Sequence, residues 1–230
     1  MGTVLPVGAP RARLGCRQPA HVVGLIARHE PVRDPVRRVR KRSRWPIPAL
    51  VASVVMVDQR VGEAYELEEQ LTVLGRKLGL GETAPDFTLD HFDGETIRSV
   101  TLAESDGLVR VLNVVNSLDT PICDIETRRW EQVRPELPEG VVVLTISMDL
   151  PFAQARWKQG AGVCHQSLSS HRSEEFGRNY GVLIKQWRML QRAVFVLDAD
   201  CQLVHVEYVN DQMKQPDYQA VVAAVRSATS

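Results

Sequence analysis

Cysteine is scarce and scattered: Cys16, Cys123, Cys164 and Cys201 form no CxxC pair and no CxxC…HxxxH spacing, so neither a disulfide framework nor a zinc site is indicated. Thiols left single suit a reducing cytosol, and a cytoplasmic location is expected. No apolar run reaches the roughly 18 to 20 residues that a membrane-crossing helix needs. GxGxxG, the phosphate-binding P-loop, HExxH and GxSxG are all missing, which removes the commonest nucleotide-binding, zinc-protease and serine-hydrolase readings. An excess of charge is missing too: 28 basic residues balance 28 acidic ones, a balance that by itself points to no particular partner, and no nucleic-acid or membrane partner is expected. His165 beside Cys164, and His171, do not make a metal site, because neighbours on a strand point to opposite faces. No cofactor and no metal is expected.

The charge that is present is unevenly placed. Residues 1–50 carry ten Arg and one Lys against Glu30 and Asp34, a net of +9, leaving −9 for the rest. The stretch RHEPVRDPVRRVRKRSR has neither helical nor strand periodicity, and Pro31, Pro35, Pro46 and Pro48 interrupt any helix. It reads as a disordered basic extension over 1–55, ahead of an alternative start at Met56, with a targeting segment or a charged arm as the other readings. Residues 56–230 read as a single domain that holds the function.

Within that domain the pattern over Leu67–Leu80 predicts a small hairpin broken at Gly75-Arg76. Two β-branched runs, Leu108–Val115 and Gly140–Ser147, predict buried strands, and Ile122–Leu137 between them predicts a helix with Ile122, Ile125, Arg129 and Val133 at helical spacing. That unit implies a right-handed crossover onto a parallel pair. Further helices are expected near 151–160, 173–180 and 216–228. A short strand is expected near Ser167, and strands at 193–198 and 202–209 form an antiparallel hairpin about Ala199-Asp200. The result is an α/β fold with a mixed sheet covered by helices on both faces, similar to the thioredoxin fold.

In LNVVNSLDTPICDIETRRW a strand ends, a loop turns, and Thr120 and Pro121 open the helix as N-cap and N1 residues. Cys123 therefore lies in the first helical turn. Unpaired backbone N–H groups and the positive end of the helix dipole favour an anion there, and only a thiolate is nucleophilic. A lone buried cysteine is more often a small hydrophobe. Here the hydroxyl of Thr120, three residues earlier, can turn toward the sulfur.

SLDTPIC followed by DIETRRW, then SMDLPFAQARW, QRAVFVLDAD and QPDYQAVVAAV, together resemble the atypical two-cysteine thiol peroxidases of bacteria, a subfamily of the peroxiredoxins, over about residues 65–228. The resemblance implies a catalytic set of Cys123, Thr120 and Arg192. Cys123 attacks the terminal oxygen of a hydroperoxide and becomes a sulfenic acid. Thr120 bonds peroxide and thiolate, and Arg192 stabilises the anion and polarises the O–O bond. A permanently charged planar guanidinium suits both tasks. The implied partners are hydrogen peroxide or a small organic hydroperoxide, a thioredoxin-like reductant, and a second copy in a homodimer.

Two positions depart from the family pattern. Asn116 stands in the active-site loop where relatives have a proline, adding donors and an acceptor. Lys158, after Trp157, occupies the usual place of the resolving cysteine. Cys164 is then the nearest resolving candidate, and a one-cysteine cycle with an external thiol is expected instead. A disulfide reductase is disfavoured because Thr120 occupies the place of the second thiol. A non-catalytic redox sensor or interaction module is the alternative reading.

Overall fold

The structure is a computed structural model that describes residues 58–229. The expected basic extension, and Cys16 with it, lies outside the described residues. The chain first forms β1 (Gln59–Glu66) and β2 (Glu69–Leu74), an antiparallel hairpin. A second antiparallel pair follows, β3 (Thr88–Phe92) with β4 (Ile97–Thr101). Then come β5 (Arg110–Val114), α1 (Pro121–Val133), β6 (Val142–Ser147), α2 (Pro151–Ala161), β7 (Gln166–Ser169) and α3 (Glu175–Asn179). Two-residue strands β8 (Leu183–Ile184) and β9 (Met189–Leu190) lead into β10 (Ala193–Leu197), β11 (Leu203–Tyr208) and α4 (Tyr218–Ala228).

Seven strands make the main sheet, in the order β11-β10-β5-β6-β7-β3-β4. The centre, β5-β6-β7, is parallel, and both flanks are antiparallel. The expected parallel crossover through α1 and the closing β10–β11 hairpin are both present. Alternation along the central strands sends side chains to two cores. Leu112, Val114, Ile146 and Phe195 join Phe87, Phe176 and Tyr180 on one face, while Val111, Val143, Val194 and Val196 meet Trp130 of α1 and Val221 and Val225 of α4 on the other. A four-stranded sheet, β1-β2-β8-β9, is formed separately.

The structure corrects two readings of the sequence. The hairpin turns at Leu67-Glu68, with Leu67 in the left-handed region at φ 52°, and not at Gly75-Arg76. Gly75 is required for another reason: at φ 93°, a Cβ there would lie 2.0 Å from the Arg178 carbonyl oxygen. The buried stripe of α1 is also rotated from the expected one. It consists of Cys123, Glu126, Thr127, Trp130 and Val133, whereas Ile125 and Arg129 face outward. The large indole of Trp130, whose Nε1 donates to Asn113 Oδ1 at 2.9 Å, sets the helix rotation more strongly than two isoleucines.

Candidate active site

Three segments meet at Cys123. The first is the loop after β5, held in place by one carboxylate. Asp149, just past β6, accepts from Ser117 Oγ at 2.7 Å, Leu118 N at 2.8 Å and Ser147 Oγ at 2.8 Å. Thr120 is the N-cap in backbone conformation (φ −88°, ψ 144°) and Pro121 takes the first helical position, so α1 starts where the sequence indicated. The Thr120 hydroxyl, however, donates to Ser117 O at 2.9 Å and is not turned to the sulfur.

Cys123 is fully buried, packed with Val115, Leu118 and Trp157. Its polar surroundings come from Asn116 of the loop after β5 and from the second and third segments, the approach to β10 and the loop after β11. Arg192, 1% exposed, places both Nη1 and Nη2 at 3.6 Å from Sγ. Its Nη2 also donates to Asn116 Oδ1 at 3.3 Å and Gln212 O at 3.0 Å, and its Nη1 donates to Glu126 Oε2. Asn116 uses all of its amide: Nδ2 donates to Leu190 O at 2.7 Å and Gln212 Oε1 at 3.0 Å, and Oδ1 faces Sγ at 3.8 Å. Gln212 Oε1 accepts from the Arg192 backbone N–H at 3.0 Å, closing the network. Hydrogen bonds on every side thus hold the Asn116 side chain in place.

Glu126 and Gln212 are absent from the sequence expectation. An acidic residue on a helix ordinarily faces water, yet Glu126 is fully buried. Its spacing of three from Cys123, on the same helical face, was the available signal. Burial pushes its carboxyl up to about 7, against the opposing pull of Arg192. Burial also opposes the charge on Arg192, but Glu126 and Cys123 more than offset it, so its pKa stands above the ordinary value.

Two further positions bear on resolution, Lys158 at the usual resolving place and Cys164 as the candidate. Lys158 is half-buried on α2, where burial lowers its pKa and Glu131 raises it. Cys164 is exposed and precedes β7 by two residues, beyond the left-handed C-cap Gly162. Its backbone N–H donates to Glu131 Oε2 at 3.0 Å, and His165 donates its own backbone N–H to the same oxygen at 3.0 Å. Glu131 lies eight residues along α1 from Cys123, about 12 Å at roughly 1.5 Å per residue. His165 is buried between Glu131, 2.8 Å from Nδ1, and Thr145 Oγ1, 2.8 Å from Nε2.

Comparison with known proteins places this geometry. Residues 80–206 match the model of the AhpC/TSA family. Thiol peroxidase from Halalkalibacterium halodurans is 43% identical over 159 residues, 69% of this chain and 93% of that protein. Thiol peroxidase from Streptococcus sanguinis is 41% identical over 162 residues, 70% of this chain and 97% of that one. A peroxiredoxin-like protein from Aquifex aeolicus superposes with a TM-score of 0.66 at 29% identity, covering 73% of this chain and 98% of the other. The chain is a thioredoxin-fold enzyme with a thiol at its centre. It belongs to the AhpC/TSA family, among the thiol peroxidases.

Proposed function

We propose that this thiol-dependent peroxidase works through Cys123, with Arg192 as its anion-binding partner and Thr120 and Asn116 shaping the loop. The observation that carries this reading is the guanidinium of Arg192 held with two nitrogens 3.6 Å from a buried sulfur in the first turn of a helix. The thiolate attacks the terminal oxygen of hydrogen peroxide or a small organic hydroperoxide. An S–O bond forms, the O–O bond breaks, and the leaving alkoxide or hydroxide takes a proton. The peroxide is reduced by two electrons and the sulfur becomes a sulfenic acid. The parallel nitrogens of Arg192 favour both the thiolate and the charge developing on the leaving oxygen. Because Sγ is covered in this conformation, the loop bearing Ser117–Thr120 must yield for peroxide to enter.

The sulfenic acid is reduced by an external thioredoxin-like thiol in a one-cysteine cycle. One thiol displaces water from the sulfur, and a second releases Cys123 as the donor becomes a disulfide. Supporting this is the placement of Cys164 at the entry to β7, a less mobile place than a helix end, with its backbone N–H held by Glu131 two turns along α1 from Cys123. The enzyme acts in the cytoplasm as a homodimer, with residues 1–55 dispensable to the catalytic domain. The test is oxidation with one equivalent of peroxide, followed by disulfide mapping and turnover of Cys164→Ser with thioredoxin. We expect no Cys123–Cys164 bond and undiminished turnover. Prompt formation of that bond, with turnover lost in Cys164→Ser, would restore a two-cysteine mechanism.

A further inference from the structure

The buried centre holds one cation and two acids. Arg192 Nη1 donates to Glu126 Oε2 and also lies 3.6 Å from Cys123 Sγ. The acids are three residues apart on α1, both with no exposed surface. A guanidinium does not lose its charge, so Arg192 can neutralise one anion. Ionising both acids would leave an uncompensated negative charge in a site cut off from water. The other groups facing Glu126 do not relieve this. Glu207 on β11 adds negative charge, and Tyr218 on α4 is held neutral by burial, with Glu126 raising its pKa further. The second carboxylate oxygen, Glu126 Oε1, is buried with no hydrogen-bond partner. An ionised carboxylate is poorly placed with an unsatisfied oxygen, whereas a carboxylic acid is neutral there.

Resting on the reading of Cys123 as the attacking thiol, we propose that Cys123 and Glu126 share one proton over Arg192, and that Glu126 is a positioning residue that keeps this proton while the sulfur is a thiolate. In the thiol form Glu126 is ionised and takes the guanidinium. When the thiol proton passes to Glu126, Arg192 is released to the thiolate. After the O–O bond breaks, that proton neutralises the leaving alkoxide, and Glu126 returns to its ionised form. The balance closes without any other acid: one thiol and one hydroperoxide give one sulfenic acid and one alcohol, or water when hydrogen peroxide is the substrate. The carboxyl pushed up by burial to about 7 supports this reading by bringing Glu126 into the range where a thiol can exchange with it.

The consequence is a divergence that a packing role does not produce. Glu126→Gln keeps the shape of the side chain but removes the competing anion and the stored proton. Its Cys123 thiolate should form at least one pH unit lower, a tenfold larger thiolate fraction on the acid limb, followed by iodoacetamide alkylation against pH in the reduced full chain. Its rate of peroxide reduction per thiolate should fall by roughly tenfold to a hundredfold, because the leaving group has lost its proton donor. Glu126→Asp, which keeps a carboxyl, should recover part of that rate. Alkylation and peroxide reduction that change together, or an unmoved alkylation profile, would overturn the shared proton. If the Gln variant does not fold, Cys123→Ala addresses the same question. With Arg192 left to Glu126 alone, the infrared C=O stretch of the buried carboxylic acid should vanish at least one pH unit lower than in the reduced wild-type chain, and an unchanged midpoint would overturn the proposal. The two readings fail separately. Undiminished peroxide turnover in Cys123→Ser overturns both, whereas an unmoved profile with Cys123 still essential overturns the shared proton alone.

Discussion

At the scale of single residues, four side chains divide the work around one sulfur. Cys123→Ser should abolish peroxide consumption, whereas Cys201→Ser should leave it near wild type. Cys201 stands in the β10–β11 turn, where its sulfur accepts from Arg110 Nη2 at 3.2 Å, and a serine oxygen can accept in its place. Peroxide consumption by each purified variant decides this. Asn116→Ala removes both donors from Leu190 O and Gln212 Oε1 and the acceptor from Arg192, leaving buried groups unpaired. A loss of about 1–3 kcal/mol in urea unfolding is expected. Glu126 makes a prediction about pH. A carboxyl whose folded pKa is raised from 4.5 to about 7 binds its proton more tightly folded than unfolded. The resulting stability is therefore full below its ordinary pKa and is lost as pH rises through about 7. Across that window Glu126→Gln should lose less stability than wild type. Parallel Tm curves from pH 5 to 8 would contradict this.

At the scale of elements, the active-site loop depends on a residue outside it. Asp149 follows β6 yet accepts from Ser117 and Leu118, so the end of one parallel strand positions the loop at the end of its neighbour. Asp149→Ala frees the loop. A fall in the peroxide reaction rate on the order of tenfold to a hundredfold is expected from misplacing Cys123, with far-ultraviolet circular dichroism unchanged. A rate equal to wild type would show that the loop needs no such anchor. The start of α1 was legible in the sequence because Thr120-Pro121 is a local signal, as were β5, β6 and the β10–β11 hairpin, whose β-branched runs match one periodicity. The β3–β4 hairpin was missed although Asp93-Gly94 marks its turn, where Asp93 Oδ1 accepts from Glu95 N at 2.9 Å and Thr96 N at 2.8 Å. Its strands carry Asp90, His91 and Arg98, which masks the apolar alternation. β8 and β9, two residues each, are too short for any period. Glu126 and Gln212 were missed for a different reason, although the spacing of Glu126 from Cys123 was a local hint. Their roles arise only when folding brings them to Arg192 and Asn116, 66 residues away for the Glu126–Arg192 pair and 96 for the Gln212–Asn116 pair.

At the scale of the whole molecule, the residues proposed for catalysis all lie within residues 116–212, and the described residues contain no helix long and apolar enough to cross a membrane. Deleting residues 1–55 should leave folding and peroxide turnover intact, since that segment brings no periodic apolar face to a core. An insoluble or inactive truncation would assign the extension a structural role. The central claim is that one sulfur, Cys123, reduces peroxide and that the other three cysteines do not. Its most direct test is anaerobic titration of the fully reduced 230-residue chain with one equivalent of hydrogen peroxide, followed by trapping of sulfenic acid and mass analysis of each cysteine-containing peptide. The expected result is one oxygen atom on Cys123, with Cys16, Cys164 and Cys201 still reduced. Cys123 recovered as a free thiol while peroxide is consumed, or the first oxygen found on another cysteine, would contradict the account.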